Sequence, residues 1–256
     1  MLTILEAFLL SLSVSIILSR GLGYASLMLR FTPMMMGLMT GIILNDVPNA
    51  LKISALVQLL YLGVLAPGGV MRSEPAVAVS FAIPIILLSN VDFRLSVIIA
   101  FIYGLIGGII YPYRIKINSK IIRLTEKFVE EGNDLGLFKS IILYPVLASL
   151  ALYIPVFFVL YLTLVPLSVL FLSYLSNTII YSSLVVVSGA LTLVGFALSM
   201  HVMGKSSQIF FFVGSFLITL FFNPFNGNIL IYALFGLIIS VIYVVYKDKI
   251  GSKQYE

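Results

Sequence analysis

Two polar side chains, Gln58 and Glu74, interrupt a long apolar stretch of this sequence. A primary amide offers two donors and an acceptor oxygen, and a carboxylate offers two acceptor oxygens, so both groups suit the hydroxyls of a sugar. An unpartnered amide in apolar surroundings would be costly, and for Gln58 an interhelical hydrogen bond explains the position as well as ligand contact does. For Glu74 the structural alternative is an ion pair with Arg72, and we favour ligand contact.

Three further features of the same stretch are candidates for this site. Asp46 follows an apolar segment, and we expect its carboxylate to cap a helix that begins at Val47 rather than to bind a ligand. Arg72 is an ionisable residue flanked by apolar segments, which is a functional hypothesis by default. Gly68 and Gly69 permit a sharp reversal of the chain and expose backbone amides and carbonyls.

The elements that must position these residues are membrane helices. Of 256 residues, 61% are hydrophobic and 10% charged, and the mean hydropathy is +1.16, which is far more apolar than a soluble domain. At about 20 residues per spanning helix, the chain can hold several spans but no sizeable soluble domain. We therefore predict one all-α, polytopic membrane transport domain over residues 1–256.

Two of the apolar segments have unusual lengths. Segment 53–65 is too short to span, and segment 141–172 is too long for one upright span and contains three prolines. We therefore expect re-entrant helical hairpins or broken helices in this fold. The predicted apolar segments are 3–19, 27–44, 53–65, 76–90, 95–111, 141–172, 178–202, 209–222 and 229–245.

A basic connector at residues 114–139 predicts the orientation of the chain. The positive-inside rule places this connector, and with it the C-terminus, in the cytoplasm. Ile117, Ile121, Leu124 and Phe128 recur at helical spacing, which predicts an amphipathic helix at the membrane surface. Small residues four apart, at Gly37 with Gly41 and Gly104 with Gly108, predict close helix contacts.

Several kinds of chemistry are excluded or disfavoured by composition. The chain has no cysteine, which excludes disulfides and thiolate chemistry, and the single histidine, His201, makes a zinc site improbable. The formal charge of +5 is explained by cytoplasmic loops, so nucleic acid is not a predicted partner. We predict no cofactor, no metal and no catalytic residue.

The polar motifs occur in an order that resembles the IIC membrane subunit of the mannose-fructose-sorbose class of bacterial sugar phosphotransferase systems. Similar stretches at residues 130–133 and 195–200 extend the likeness over nearly the whole chain. The clearest departure is Arg72-Ser73-Glu74, where that family usually has proline-proline-aspartate. The matching positions are Asn45-Asp46, Gln58-Leu59, Leu62-Gly63 and Pro67-Gly68-Gly69.

The resemblance implies a multi-pass protein of the cell membrane that carries a hexose inward. It implies an oligomeric assembly with a IID membrane subunit, and phosphate supplied to the sugar 6-hydroxyl by soluble IIA and IIB proteins. This chain would supply binding and passage through the lipid bilayer, and its partners the phosphate transfer. Two alternatives stay open: an ion-coupled sugar permease that uses Asp46 or Glu74 as proton carrier, and a receptor subunit that transports nothing.

Overall fold

The computed structural model describes residues 2–62, 72–203, 209–222 and 229–252, and the regular structure in these ranges is helical throughout. This confirms the predicted all-α class. The helices are α1 (Ile4–Ser19), α2 (Tyr24–Phe31), α3 (Pro33–Ile43), α4 (Val47–Tyr61), α5 (Pro75–Ser89), α6 (Ser96–Glu130), α7 (Asp134–Phe138), α8 (Tyr144–Leu175), α9 (Ile179–Met203), α10 (Ile209–Phe222) and α11 (Ile229–Ser252).

Spanning helices and a sharply bent helix pair occur together, and the bend lies outside the two segments of unusual length. Within the described residues, three helical stretches are long and apolar enough to cross a membrane: Phe93–Glu130, Asp134–Leu175 and Ile179–Leu198. The pair α1 and α2 is bent by 118° and would form a fourth span if counted as one. The chain is therefore a multi-pass membrane protein with at least one broken span or re-entrant element.

The apolar segment 27–44 is two helices, so its prediction as one segment was wrong. Thr32 separates them, with φ −113° and ψ 88°, and Pro33 opens α3. The residue before a proline is disfavoured in the α conformation, and proline is tolerated at the first helical position. Local proline chemistry therefore overrides the continuous hydrophobicity of the segment.

No helix end separates the apolar segment 95–111 from the connector 114–139. Helix α6 runs unbroken from Ser96 to Glu130 through Pro112, so the basic stretch begins as a direct extension of the span. On this extension Ile117 and Ile121 are half-buried and Lys120 is exposed, whereas Leu124, predicted on the same apolar face as the isoleucines, is exposed. The remainder of the connector is α7 and a π-helical turn, Lys139–Leu143.

Helix α8 is also continuous. It spans Tyr144–Leu175 with Pro155 and Pro166 inside it, so segment 141–172 does not divide into two helices. A proline removes one hydrogen bond from the helical ladder, and neighbouring groups in a membrane helix can compensate for it. A single long helix therefore occupies the place where a broken pair was one of the predicted outcomes.

Helix α5 lies at the centre of the packed region and is buried all round from Pro75 to Ile86. It packs against α3, α4, α6 and α8. The ring of Phe81 stacks between Tyr103 and Tyr161, with centroid distances of 4.8 and 4.1 Å. The hydroxyl of Tyr161 donates to Ser80 Oγ at 2.8 Å, so the polar tip of this buried ring is satisfied.

The small residues of α3 allow it to pack closely on α4, as predicted. A Cβ atom built on Gly41 would lie 2.8 Å from Ala50 Cβ, and one on Gly37 would collide with Ser54. Real Cβ atoms do not approach this closely, so the helix spacing depends on the absence of side chains at both positions.

The chain forms two compact units, residues 1–200 and 201–256. The first holds α1 to α8, most of α9 and the buried core. The second holds α10 and α11, where the rings of Phe211 and Tyr243 meet edge to face at 4.9 Å. The assignment of residues 1–256 to one transport domain stays a prediction.

Candidate functional site

A buried ion pair between Arg30 and Glu74 lies at the centre of the first unit. Glu74 is 0% exposed and Arg30 is 2% exposed. Arg30 Nε donates to Glu74 Oε2 at 2.8 Å, and Arg30 Nη2 donates to Oε1, so the guanidinium meets both carboxylate oxygens. Such two-pronged pairing is strong and directional, and it offsets much of the cost of burying both charges.

Helix ends contribute to the stability of this pair. Arg30 lies in the last turn of α2, and Glu74 is the residue immediately before Pro75, where α5 begins. The partial charges of helix termini favour a cation at the C-terminal end and an anion at the N-terminal end. Each charge therefore sits where its own helix end attracts it.

Glycines of α6 allow the residues before α5, which include Glu74, to pack closely against α6. The backbone N–H of Glu74 donates to the carbonyl of Gly104 at 2.9 Å. A Cβ atom on Gly107 would lie 2.8 Å from Glu74 Cβ, and one on Gly108 would collide with the carbonyl of Arg72. The close helix contact predicted at Gly104 and Gly108 is thus confirmed. It allows the residues before α5 to pack against α6.

A hydrogen bond joins the two ends of the stretch that contains the predicted glycine turn. The Tyr61 hydroxyl, at the end of α4, lies 2.6 Å from Ser73 Oγ. Gly68 and Gly69 fall outside the described residues, so their assignment to the site stays a prediction. The flanks of that stretch meet at the Tyr61–Ser73 bond, next to Glu74.

Gln58 and Glu74 both attach to the break between α2 and α3. Gln58 Oε1 accepts from the backbone N–H of Met34 at 3.3 Å, two residues after Thr32. Glu74 holds Arg30, two residues before Thr32. The structure therefore brings the two principal residues predicted from sequence to opposite sides of one helix break, through contacts with other residues.

The other two predicted side chains lie elsewhere. Asp46 caps α4 by accepting from the backbone N–H of Asn49 at 3.3 Å, which confirms the capping role, and it also accepts from the Asn49 side chain. Twelve residues of one helix separate Asp46 from Gln58, which is about 18 Å along the axis. Arg72 is exposed, and the ion pair with Glu74 that was its structural alternative is wrong because Glu74 pairs with Arg30.

Sequence reasoning missed the cations and rings that complete the site. The guanidinium of Arg30 lies 4.6 Å from the centroid of the Tyr111 ring. One turn further along α6, Arg114 is 7% exposed and donates from Nε to Ser149 Oγ at 3.2 Å. A lone arginine inside the apolar segment 27–44 was a signal that could have identified Arg30.

A polytopic helical chain with a buried ion pair beside a helix break has features typical of membrane transport proteins. Within that class, the chain belongs to the family of sorbose-specific IIC components of the phosphotransferase system, whose sequence profile matches residues 4–242. It is therefore a IIC sugar-transport component, as its motifs indicated. The search of curated proteins found no match.

Two solved structures share the fold. One, described as a membrane protein, aligns with a TM-score of 0.72 at 18% identity over 95% of this chain and 96% of the other. The second is the mannose transporter ManYZ in complex with microcin E492, with a TM-score of 0.56 at 16% identity over the same shares of the two chains. At these identities the likeness shows the fold.

Proposed function

We propose that the chain carries a hexose across the membrane along a path that passes the break between α2 and α3. The observation that supports this path is the attachment of both Gln58 and Glu74 to that break. Interrupted helices at membrane depth expose backbone groups and helix ends to a ligand, which is how many transporters build their sites. A hexose also fits the mannose transporter among the structural neighbours.

Each side chain has a distinct role in this proposal. Gln58 uses its carbonyl oxygen on Met34, which leaves its amide N–H groups for sugar oxygens. Glu74 accepts hydrogen bonds from sugar hydroxyls, and Arg30 donates hydrogen bonds to them. These bonds replace the hydrogen bonds between Arg30 and Glu74 when the sugar binds. Because Glu74 is fully buried in this conformation, sugar binding requires the segment before α5 to move from α2.

Three further parts of the chain are proposed to contact the sugar along this path. Arg72 is exposed next to Glu74 and is proposed to guide the sugar towards it. The Gly68-Gly69 turn is proposed to offer backbone groups to the ligand, since its flanks meet beside Glu74. Asp46 is proposed as a contact at the far end of α4.

Chemical modification of the sugar is assigned to partner proteins. We propose that the chain assembles with a IID membrane subunit, and that IIA and IIB phosphocarriers deliver phosphate to the sugar 6-hydroxyl at the cytoplasmic face. The basic extension of α6 and the C-terminus would then face the cytoplasm, as the positive-inside rule predicts. The chain is not an enzyme by itself, and phosphorylation prevents return of the sugar.

The site is tested by uptake of labelled hexose in cells that supply matched IIA, IIB and IID proteins. Gln58→Leu removes the amide donors and should abolish uptake while membrane insertion, measured by surface labelling, is preserved. Glu126→Gln is the control, because Glu126 is exposed on the extension of α6. Normal uptake by the Gln58→Leu variant would contradict the proposed site.

A further inference from the structure

The described residues bury more positive than negative charge. The buried charged side chains among them are Arg30, Glu74 and Arg114. Both oxygens of Glu74 accept from Arg30, so this pair is neutral. Arg114 makes no ion pair with a described residue, which leaves one buried positive charge uncompensated.

The contacts of Arg114 with the described residues use part of its donor capacity. Its Nε donates to Ser149 Oγ at 3.2 Å, and its Nη2 donates to the Ser19 carbonyl at 3.5 Å, which is a long bond. A guanidinium has five N–H donors in a planar fork that matches the oxygens of a carboxylate or phosphate. Arg114 therefore retains donors for an anionic ligand.

A second buried polar group lies within electrostatic range of Arg114. Tyr153 lies one turn beyond Ser149 on α8 and interacts electrostatically with Arg114. Its side chain is 1% exposed, and its hydroxyl has no hydrogen-bond partner among the residues that the structure describes. Buried hydroxyls are normally satisfied, so this hydroxyl is a free donor beside an uncompensated cation.

The depth of Arg114 indicates which anion it meets. Eighteen residues of α6 separate Ser96 from Arg114, a rise of about 27 Å, which is close to the hydrocarbon thickness of about 30 Å. Arg114 thus lies about one hydrocarbon thickness along α6 from its first residue, a distance at which a spanning helix reaches the level of phosphate groups. Arg20, which is exposed, adds positive charge within electrostatic range of Arg114.

We propose that Arg114 and Tyr153 form a binding site for a phosphate group at this membrane face, built from residues other than the sugar contacts proposed above. The phosphate belongs either to a free phosphate ester that reaches the site from water or to the headgroup of an anionic phospholipid. The two sources share the same recognition chemistry, in which Arg114 donates from its fork and Tyr153 donates its hydroxyl.

The test measures ligand binding to the purified full-length chain in detergent, without any transport assay. Inorganic phosphate and mannose 6-phosphate are titrated at constant ionic strength, and phosphatidylglycerol is titrated against phosphatidylcholine, with the melting temperature as readout. We expect one of the anionic probes to raise the melting temperature of the wild type. Arg114→Gln should weaken that binding by about tenfold or more.

Two variants test whether a loss of binding reflects the site itself or a general effect of charge or folding. Tyr153→Phe removes a hydroxyl that has no partner in the described part of the chain, so it should fold normally yet weaken binding of the same probe several-fold. Arg123→Gln removes an exposed arginine of the same helix and should leave binding unchanged.

The outcomes distinguish the two sources of phosphate from each other and from a general effect of charge. Stabilisation by inorganic phosphate or mannose 6-phosphate identifies a soluble ester, and stabilisation by phosphatidylglycerol alone identifies a lipid headgroup. The proposal is overturned if no probe stabilises the wild type, or if Arg123→Gln weakens binding as much as Arg114→Gln. Because hexose uptake is not measured, failure of the transport proposal would leave this result intact.

Discussion

Removing the negative charge of Glu74 should strongly destabilise the fold. In Glu74→Met, Arg30 would stay 2% exposed without a carboxylate partner, and breaking one side of a buried ion pair typically costs about 3–5 kcal/mol. Arg30→Met should cost a similar amount, because it leaves Glu74 buried alone. The double variant Arg30→Met/Glu74→Met should recover to within about 1 kcal/mol of wild type, because well-packed apolar residues often replace a buried pair without loss.

This cycle is measured by equilibrium unfolding in mixed detergent and SDS micelles, followed by circular dichroism. A coupling energy of several kcal/mol between the two positions is expected. The control is Glu131→Gln, which breaks an exposed pair with Lys127 at 3.7 Å and should cost no more than about 1 kcal/mol. If the double variant loses the sum of the two single losses, the residues do not interact and the reasoning fails.

Three further predictions concern the elements around this pair. Gly107→Val would place a Cβ atom 2.8 Å from a neighbouring Cβ and should cost about 1–3 kcal/mol in the same unfolding assay, whereas Gly189→Ala, with open space around it, should be near neutral or stabilising. Tyr61→Phe removes the 2.6 Å contact with Ser73 and should cost about 1 kcal/mol, and an unchanged stability would refute that contact. Asp46→Ala should lose about 1 kcal/mol of helix capping that Asp46→Asn retains, so loss of hexose uptake in the asparagine variant, whose cap is intact, would indicate a ligand role for the carboxylate.

The all-α membrane class and much of the helix layout could be predicted from sequence, because hydrophobicity and the conformational effects of proline act on neighbouring residues. The cap at Asp46 and the tight packing at Gly104 follow from residue types whose effects need only neighbours in sequence or on a helix face. The same reasoning missed the division at Thr32, because the hydrophobic pattern of segment 27–44 continues across it. The proline of this segment indicates the division into two helices, whereas the apolar composition of the segment does not.

The contacts of the candidate site were less predictable because they are long-range. Glu74 was expected either to meet a ligand or to pair with Arg72, yet its partner is Arg30, 44 positions away in sequence. Which charges meet depends on how α2, α5 and α6 pack, and spacing along the chain does not encode that. The unbroken course of α6 into the basic connector was missed for a related reason, since a change from apolar to charged residues marks a membrane boundary without ending a helix.

The most direct test of the central proposal is uptake of a labelled hexose panel by cells with matched IIA, IIB and IID proteins, with and without this chain. Free sugar and sugar phosphate are recovered separately. We predict accumulation of one hexose as its 6-phosphate, dependent on both this chain and IIB. Uptake of free sugar that persists without IIB and collapses with the proton gradient would contradict the account and favour an ion-coupled permease.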